Sequence, residues 1–369
     1  MRHTFLACAC LALCLTPAEV DCADTPKVPG PEETSAPAES AGDRDLLGLA
    51  GRTEWLGLLT AACESADAPT RARAAFLIGQ VCAGAREHST PRCENTLHAL
   101  AQDPDRDVRI HAGIASGHLG VGAAIPTCVA GVVDGPRWRR YYAVVALARI
   151  GTPRARRLLL RGVEGQSEYI RQVAEYFLLA PADRPNNQAR KKEYTAVAAG
   201  PPPPEGTAPE EIFAAAADQL WTVTDYYWHS GQHEDCIRLG LTATFLDATH
   251  LDAWGGAAWL TWSAGRDAEA IGIYQDGLDA NPSQYDMYFE LGFHLYNLHR
   301  YRAALPYLRK ATELASPPTT RRMYAHCLEK AGQLGQSLQV WTALLKQYPD
   351  DHVVVQNHAR VKRRVEAGE

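Results

Sequence analysis

Polar and apolar stretches return along this chain at fixed intervals, and two different intervals divide it. In the first half four segments superimpose: DAPTRARAAFLIG from Asp67, DRDVRIHAGIASG from Asp105, RWRRYYAVVALARIG from Arg137 and SEYIRQVAEYFLLA from Ser167. Each sets a polar, arginine-bearing stretch ahead of an apolar one, with the arginine three residues before an alanine. The pairs are Arg71 and Ala74, Arg109 and Ala112, Arg140 and Ala143, and Arg171 and Ala174, in steps of 38, 31 and 31 residues. A period of about thirty to forty residues in helical sequence predicts stacked helix pairs, because each pair carries an apolar face that only its neighbours cover. The small alanine lets adjacent helices approach closely. In the second half the turns SGQ at Ser230, AGR at Ala264, LHR at Leu298 and AGQ at Ala331 recur, their middle residues stepping by 34, 34 and 33. That period predicts a helix, a turn and a helix per unit.

The first set resembles the HEAT repeat, particularly the short variety also found in bilin-lyase-like proteins. In that family a turn aspartate six residues before the arginine binds it. Asp103 with Arg109 and Asp134 with Arg140 keep this spacing, and Pro126 matches the family's proline in the preceding helix. The second set resembles the tetratricopeptide repeat. Its best copy runs from Leu251 to Pro282, with Trp254, Ala258, Gly265, Ala270, Tyr274 and the closing Pro282. The next copy carries Tyr288, Leu291, Gly292, Ala304 and Ala311, and the last ends in Tyr348 and Pro349. The first copy, about Leu220 to Ala248, is degenerate, with Cys236 where that family has alanine. The two resemblances imply an all-α fold of two α-solenoids, HEAT-like and then tetratricopeptide-like.

They also imply where a ligand would sit. In tetratricopeptide arrays the first helix of each unit lines the concave face at positions 2, 5, 9 and 12. Those positions hold Asp218, Trp221, Asp225 and Trp228, then Asp252, Gly255, Trp259 and Trp262, then Asp286, Phe289, Phe293 and Tyr296. The fourth repeat turns polar, with Arg322, His326 and Glu329. The candidate peptide-binding groove is therefore Trp221, Trp228, Trp259, Trp262, Phe289, Phe293 and Tyr296, since aromatic rings bury large areas with few rotatable bonds. A one-residue error of register would turn these rings into interhelical packing. The lysine and asparagine clamp with which one subclass holds a C-terminal carboxylate is missing.

Composition sets the frame around the arrays. Residues 1–18 have the layout of a signal peptide: Arg2 and His3, an apolar run from Phe5 to Leu15, and a small-residue exit at Thr16 to Ala18. Eleven apolar residues reach only about 16 Å, half a hydrocarbon core. Cys8, Cys10 and Cys14 raise lipid anchoring as the alternative to a soluble exported protein, periplasmic, envelope-bound or secreted. Residues 19–44 read as a disordered tether, 45–180 as the HEAT-like domain, 181–208 as a Pro-rich linker, 209–350 as the tetratricopeptide domain and 351–369 as a C-terminal capping helix. The stretch Ala112 to Val133 lacks charge, but Gly, Ala, His118 and Pro126 make it the inner face of one helix, a turn and the start of the next.

Charge and motifs narrow the function. A net charge of −6 gives no overall attraction for nucleic acid or an anionic membrane. Phosphate loops, GxSxG, HExxH and GxGxxG after a strand are not found, and no cofactor is expected. His229 and His233 straddle a turn and are read as exposed turn residues, as are His294 and His299. Cys63, Cys82 and Cys93 are read as buried thiols, or as sharing one disulfide if the chain is exported. Eight arginines fall between Asp134 and Glu164 without an acidic residue. Arg140 is read as structural, and Arg137, Arg139, Arg154, Arg156, Arg157 and Arg161 as a basic patch for an acidic segment, or as a solvated helix surface. The function expected is a non-catalytic exported scaffold holding peptide or protein segments. Its alternatives are an envelope assembly chaperone or lipoprotein, and a HEAT-repeat enzyme of the bilin-lyase kind.

Overall fold

The computed structural model describes residues 55–83, 91–164, 168–178, 201–229 and 231–368. The expected signal peptide and tether lie outside these residues, as does most of the linker. Among the described residues every regular element is helical, so the all-α solenoid class is observed. They form two compact units, one ending at Ile273 and one beginning at Tyr274.

The first unit begins with α1 (Leu56–Ala62), α2 (Ala68–Ala83), α3 (Pro91–Leu100) and α4 (Arg106–His118). It continues with α5 (Ile125–Val133), α6 (Arg137–Ile150), α7 (Pro153–Val163) and α8 (Glu168–Leu178). The uncharged stretch resolves into the end of α4, a short 3-10 turn at Gly122–Ala124, and α5. None of the described helices is long and apolar enough to cross a membrane.

The four arginine-bearing helices α2, α4, α6 and α8 pack side by side as one layer. Ala74, Ala112, Ala143 and Ala174 are fully or almost fully buried there. The arginines repeat their geometry as well as their spacing. Arg71 Nη1 donates to the Ser65 and Ala66 carbonyls at 2.9 and 3.0 Å. Arg109 Nη1 donates to those of Asp103 and Pro104 at 2.6 and 2.8 Å. Arg140 Nε donates to Gly135 O at 2.9 Å.

The turn aspartates differ from the family expectation. Asp103 does not bind Arg109 through its carboxylate; it pairs at 2.8 Å with Arg71 of the preceding repeat. Asp134 likewise pairs at 3.0 Å with Arg106 and not with Arg140. With its own arginine already taken up by turn carbonyls, each carboxylate is left to reach back one repeat. The hydrogen bond from Arg71 holds the Asp103 carboxyl below the usual range.

The same unit also contains α9 (Pro209–His229), α10 (His233–Leu246) and α11 (Leu251–Ser263), and the first residues of α12 (Asp267–Ala280). The linker separates two repeat grammars in sequence, yet the helices on its two sides pack together. Here α10 lies against α6 on one side and between α9 and α11 on the other. All residues from Asp235 to Thr244 are buried as a result.

Contacts across the α6–α10 junction are aromatic and polar at once. Trp138 and Phe245 stack with centroids 3.8 Å apart, and His111 lies parallel to both at 5.1 Å. Phe76 meets Tyr142 and Phe245 edge-on at 4.6 and 5.5 Å. Tyr141 donates its hydroxyl to Glu234 O at 2.5 Å, Tyr142 bonds Thr242, and Tyr176 donates to Asp235 Oδ2 at 3.1 Å. Arg266 reaches Gln172 Oε1 at 2.7 Å while pairing with Glu234, and Arg137 pairs with Glu269 at 2.8 Å.

The second unit holds α13 (Tyr285–Asn297), α14 (Tyr301–Glu313), α15 (Pro318–Lys330), α16 (Leu334–Gln347) and α17 (His352–Glu366). Trp341 is fully buried among Ala325, Leu334, Leu344, Val354 and Val361. The last helix is capped by Asp351, whose carboxylate accepts from Val353 and Val354 N–H, and is clamped onto α15 where Arg360 and Arg364 pair with Glu329.

Both units share one turn. Gly231, Gly265, His299 and Gly332 take φ of 72°, 78°, 57° and 80°, so the middle residue of each turn triplet is left-handed, including the one that is not glycine. A side chain at Gly265 would meet nothing within 4 Å, which leaves backbone strain as its cost, about 1–2 kcal/mol. Gly265→Val is expected to lose about that much in urea unfolding, whereas His299→Gly is expected to gain up to about 1 kcal/mol. A second expectation concerns acid. Burial, reinforced by Arg139, lowers the His111 pKa from 6.5 to about 4. The fold therefore prefers the neutral ring, so its contribution is whole above pH 6.5 and falls as pH drops toward 4, by about 1.4 kcal/mol per unit. The acid limb of the stability profile is expected to be shallower in His111→Phe over that window.

Candidate functional site

The surface left open by these contacts is set by which side of the helices is covered. Because α10 is enclosed, α9 and α11 present their other side. On α9 the residues Asp218, Trp221, Asp225 and Trp228 fall at intervals of three, four and three, and on α11 Asp252, Gly255, Trp259 and Trp262 do the same. Such spacing puts each set on one helical stripe.

Within the stripes the structure separates the tryptophans. Trp221 is half-buried, its indole lying directly over Gly256 and beside Gly240; a β-carbon at Gly256 would come within 2.2 Å of the ring. Trp221 is thus wedged between helices, with its ring edge toward His250 at 5.8 Å. Trp228 and Trp259 pair across α9 and α11, centroids 5.3 Å apart and planes inclined by 48°. His233, at the start of α10, stacks on Trp228 at 5.0 Å. Trp259 is 36% exposed, high for an indole. Trp262 is half-buried. Trp254 is buried and donates its Nε1–H to Ala248 O at 3.0 Å, making it a brace for the α10–α11 turn.

In the second unit Phe289 and Phe293 lie parallel on α13 at 5.9 Å, both half-buried, and Tyr296 meets Tyr301 edge-on at 5.1 Å. The polar residues of the fourth repeat are engaged in ion pairs and ring contacts. Arg322 pairs with Asp351, and Glu329 with Arg360 and Arg364. The His326 ring stands edge-on to Trp341 at 5.1 Å.

The six candidate arginines divide into two groups. Arg139 is 8% exposed and pairs with Asp107 at 3.2 Å, and Arg137 is engaged with Glu269. Arg154, Arg156, Arg157 and Arg161 are exposed on α7, while Ala155 and Leu159 point into the core. Only these four are presented to solvent as a group.

Other titratable residues are absorbed by packing. His294 is not an exposed turn residue: it is buried on α13, 5.2 Å from Tyr274. His299 and His233 are both exposed, His233 while stacking on Trp228. All six described cysteines, Cys63, Cys82, Cys93, Cys128, Cys236 and Cys327, are buried free thiols. Burial pushes Cys63, Cys128 and Cys327 up to about 12, far from the thiolate form a nucleophile needs. Burial, and then a hydrogen bond with Cys93, raises the Cys82 thiol.

A family model for HEAT repeats matches residues 94–178, the span from α3 through α8. Among solved structures, YrrB, described as a tetratricopeptide-repeat protein with an unusual peptide-binding site, is 23% identical over 42% of this chain and 85% of its own, at a TM-score of 0.34. No curated protein matches.

The distinction between wedge and surface is measurable. Trp221→Ala is expected to destabilise by about 2 kcal/mol or more through lost burial and a new cavity. Trp259→Ala is expected to cost under about 1 kcal/mol in the same denaturant titration.

Proposed function

We propose that this protein is a non-catalytic scaffold that holds peptide or protein segments on the aromatic stripe of its tetratricopeptide-like helices. The observation that carries this reading is the Trp228–Trp259 pair. Two large rings from different helices meet at 5.3 Å, one of them 36% exposed and the other half-buried against His233 of α10. A rigid aromatic pair of this kind offers contact area at low entropic cost, as binding anchors do. Helical repeats suit such a role because the framework fixes shape while a few surface residues choose the partner. The non-catalytic part of the reading is supported by the described cysteines, all buried, with the Cys63 and Cys128 thiols raised to about 12. Export, with the partner met in the periplasm, envelope or exterior, is proposed from the N-terminal pattern of Arg2, His3 and the apolar run to Leu15.

A displayed peptide library selected against the full chain tests the central element. Selected peptides are expected to lose at least tenfold in affinity, about 1.4 kcal/mol, for Trp228→Ala/Trp259→Ala, with helical circular dichroism unchanged. Peptides that bind this double variant as tightly as the parent would remove the stripe from the reading. Amino-terminal sequencing of the mature protein from fractionated cells tests export, with Glu19 expected as the first residue.

A further inference from the structure

The charges carried by the two helices that hold the tryptophan pair all have one sign. Helices α9 and α11 together carry Glu210, Glu211, Asp218, Asp225 and Asp252 and neither a lysine nor an arginine. Glu210, Glu211, Asp218 and Asp252 are exposed, and the Asp218 side chain keeps 68% of its surface in water while its Oδ1 sits 3.4 Å from His250 Nε2. The carboxylates Asp218 and Asp252 stand on the same stripes as Trp228 and Trp259. The pattern recurs within the second unit, where α13 carries Asp286 and Glu290 beside Phe289 and Phe293 and again no lysine or arginine. Basic side chains are kept elsewhere: four exposed arginines on α7 and Arg302, Arg309 and Lys310 on α14.

Partly exposed aromatic rings on stripes that also carry carboxylates have a definite complement. The negative face of an indole attracts a guanidinium or ammonium group. A planar guanidinium adds stacking on the ring and paired hydrogen bonds to a carboxylate. An anionic or wholly apolar segment would instead leave Asp218 and Asp252 facing like charge or stripped of water, which suppresses such partners.

Resting on the peptide-holding function proposed above, we propose that the occupant of this stripe is a cationic segment of another protein, an arginine seated on the Trp228–Trp259 pair with Asp218 and Asp252 taking flanking basic residues. The partner is thus of opposite charge to the one the arginines of α7 would attract.

The test uses the full chain and three fluorescently labelled decapeptides, identical except that four positions are all arginine, all glutamine or all glutamate, read by fluorescence anisotropy. The arginine peptide is expected to bind at least tenfold more tightly than the glutamine peptide, and the glutamate peptide not at all. Its affinity is expected to fall at least tenfold between 50 and 500 mM salt, and at least tenfold in Asp218→Lys/Asp252→Lys, whose two substituted positions are both exposed, with circular dichroism as the control. Trp228→Ala/Trp259→Ala is expected to weaken it further. Equal binding of the arginine and glutamine peptides, with sensitivity to the tryptophan pair, would overturn the cationic partner and leave the peptide stripe standing. Failure of all three peptides, together with failure of the library selection, would overturn both. Sedimentation showing self-association that Arg154→Glu/Arg156→Glu/Arg157→Glu abolishes would assign the stripe to α7 of a second copy and overturn a separate partner.

Discussion

The enclosure of α10 is the constraint on which the rest of the first unit depends. A helix covered on one stripe can keep polar residues on the other, but α10 is packed by α6 on one side and by α9 and α11 on the other, so its polar residues must find partners inside. They do so: Asp235 pairs with Arg238 at 3.2 Å and accepts from Tyr176, Thr242 bonds Tyr142, and Thr244 bonds Leu241 O. A buried ion pair of this kind contributes little net stability, because desolvation offsets most of the attraction, but removing one partner alone is costly. The arrangement therefore specifies how α10 seats on the HEAT-like layer more than it strengthens the seat.

The arginine-bearing layer gives that seat its regularity. Arg71, Arg109 and Arg140 each hold the carbonyls of the turn that precedes them, and Asp103 and Asp134 reach back to Arg71 and Arg106 of the previous repeat. Successive helices are tied in register by charge-assisted bonds at the turn and by alanine contact along the shafts. This layer packs against α10, and the aromatic residues of α9 and α11 lie on stripes of their own.

Much of this was legible in the sequence, for a physical reason in each case. The 34-residue turn spacing found Gly231, Gly265, His299 and Gly332, because a left-handed residue is needed where each helix reverses. The arginine-to-alanine spacing found the buried Ala74, Ala112, Ala143 and Ala174, because close helix approach tolerates only small side chains. What stayed hidden concerns contacts distant in sequence. The first tetratricopeptide copy reads as degenerate, with Cys236 where that family has alanine; the structure adds that Arg238 and Thr242 are buried on the same helix, bonded to Asp235 and Tyr142, at a second packing surface that no local pattern announces. The pairing of Asp103 with Arg71 in place of Arg109 is likewise a choice between two arginines, which spacing alone does not make. Trp221 and Trp228 have the same periodicity, and only the closeness of Gly256 and Gly240 separates the wedge from the surface ring. Gly256 in the run WGG is the available signal, since a helix position without a side chain admits a large ring from its neighbour.

The joining of the HEAT-like helices α1 to α8 and the tetratricopeptide-like helices α9 to α11 into one cooperative body is the central claim, and native-state amide hydrogen exchange tests it most directly. In low denaturant the amides of α6 and α10 are expected to exchange through the same opening, with equal free energies and equal denaturant dependence. Exchange of α10 through an opening about 2 kcal/mol or more below that of α6, roughly thirtyfold in rate, would show two bodies that merely touch and would contradict the account.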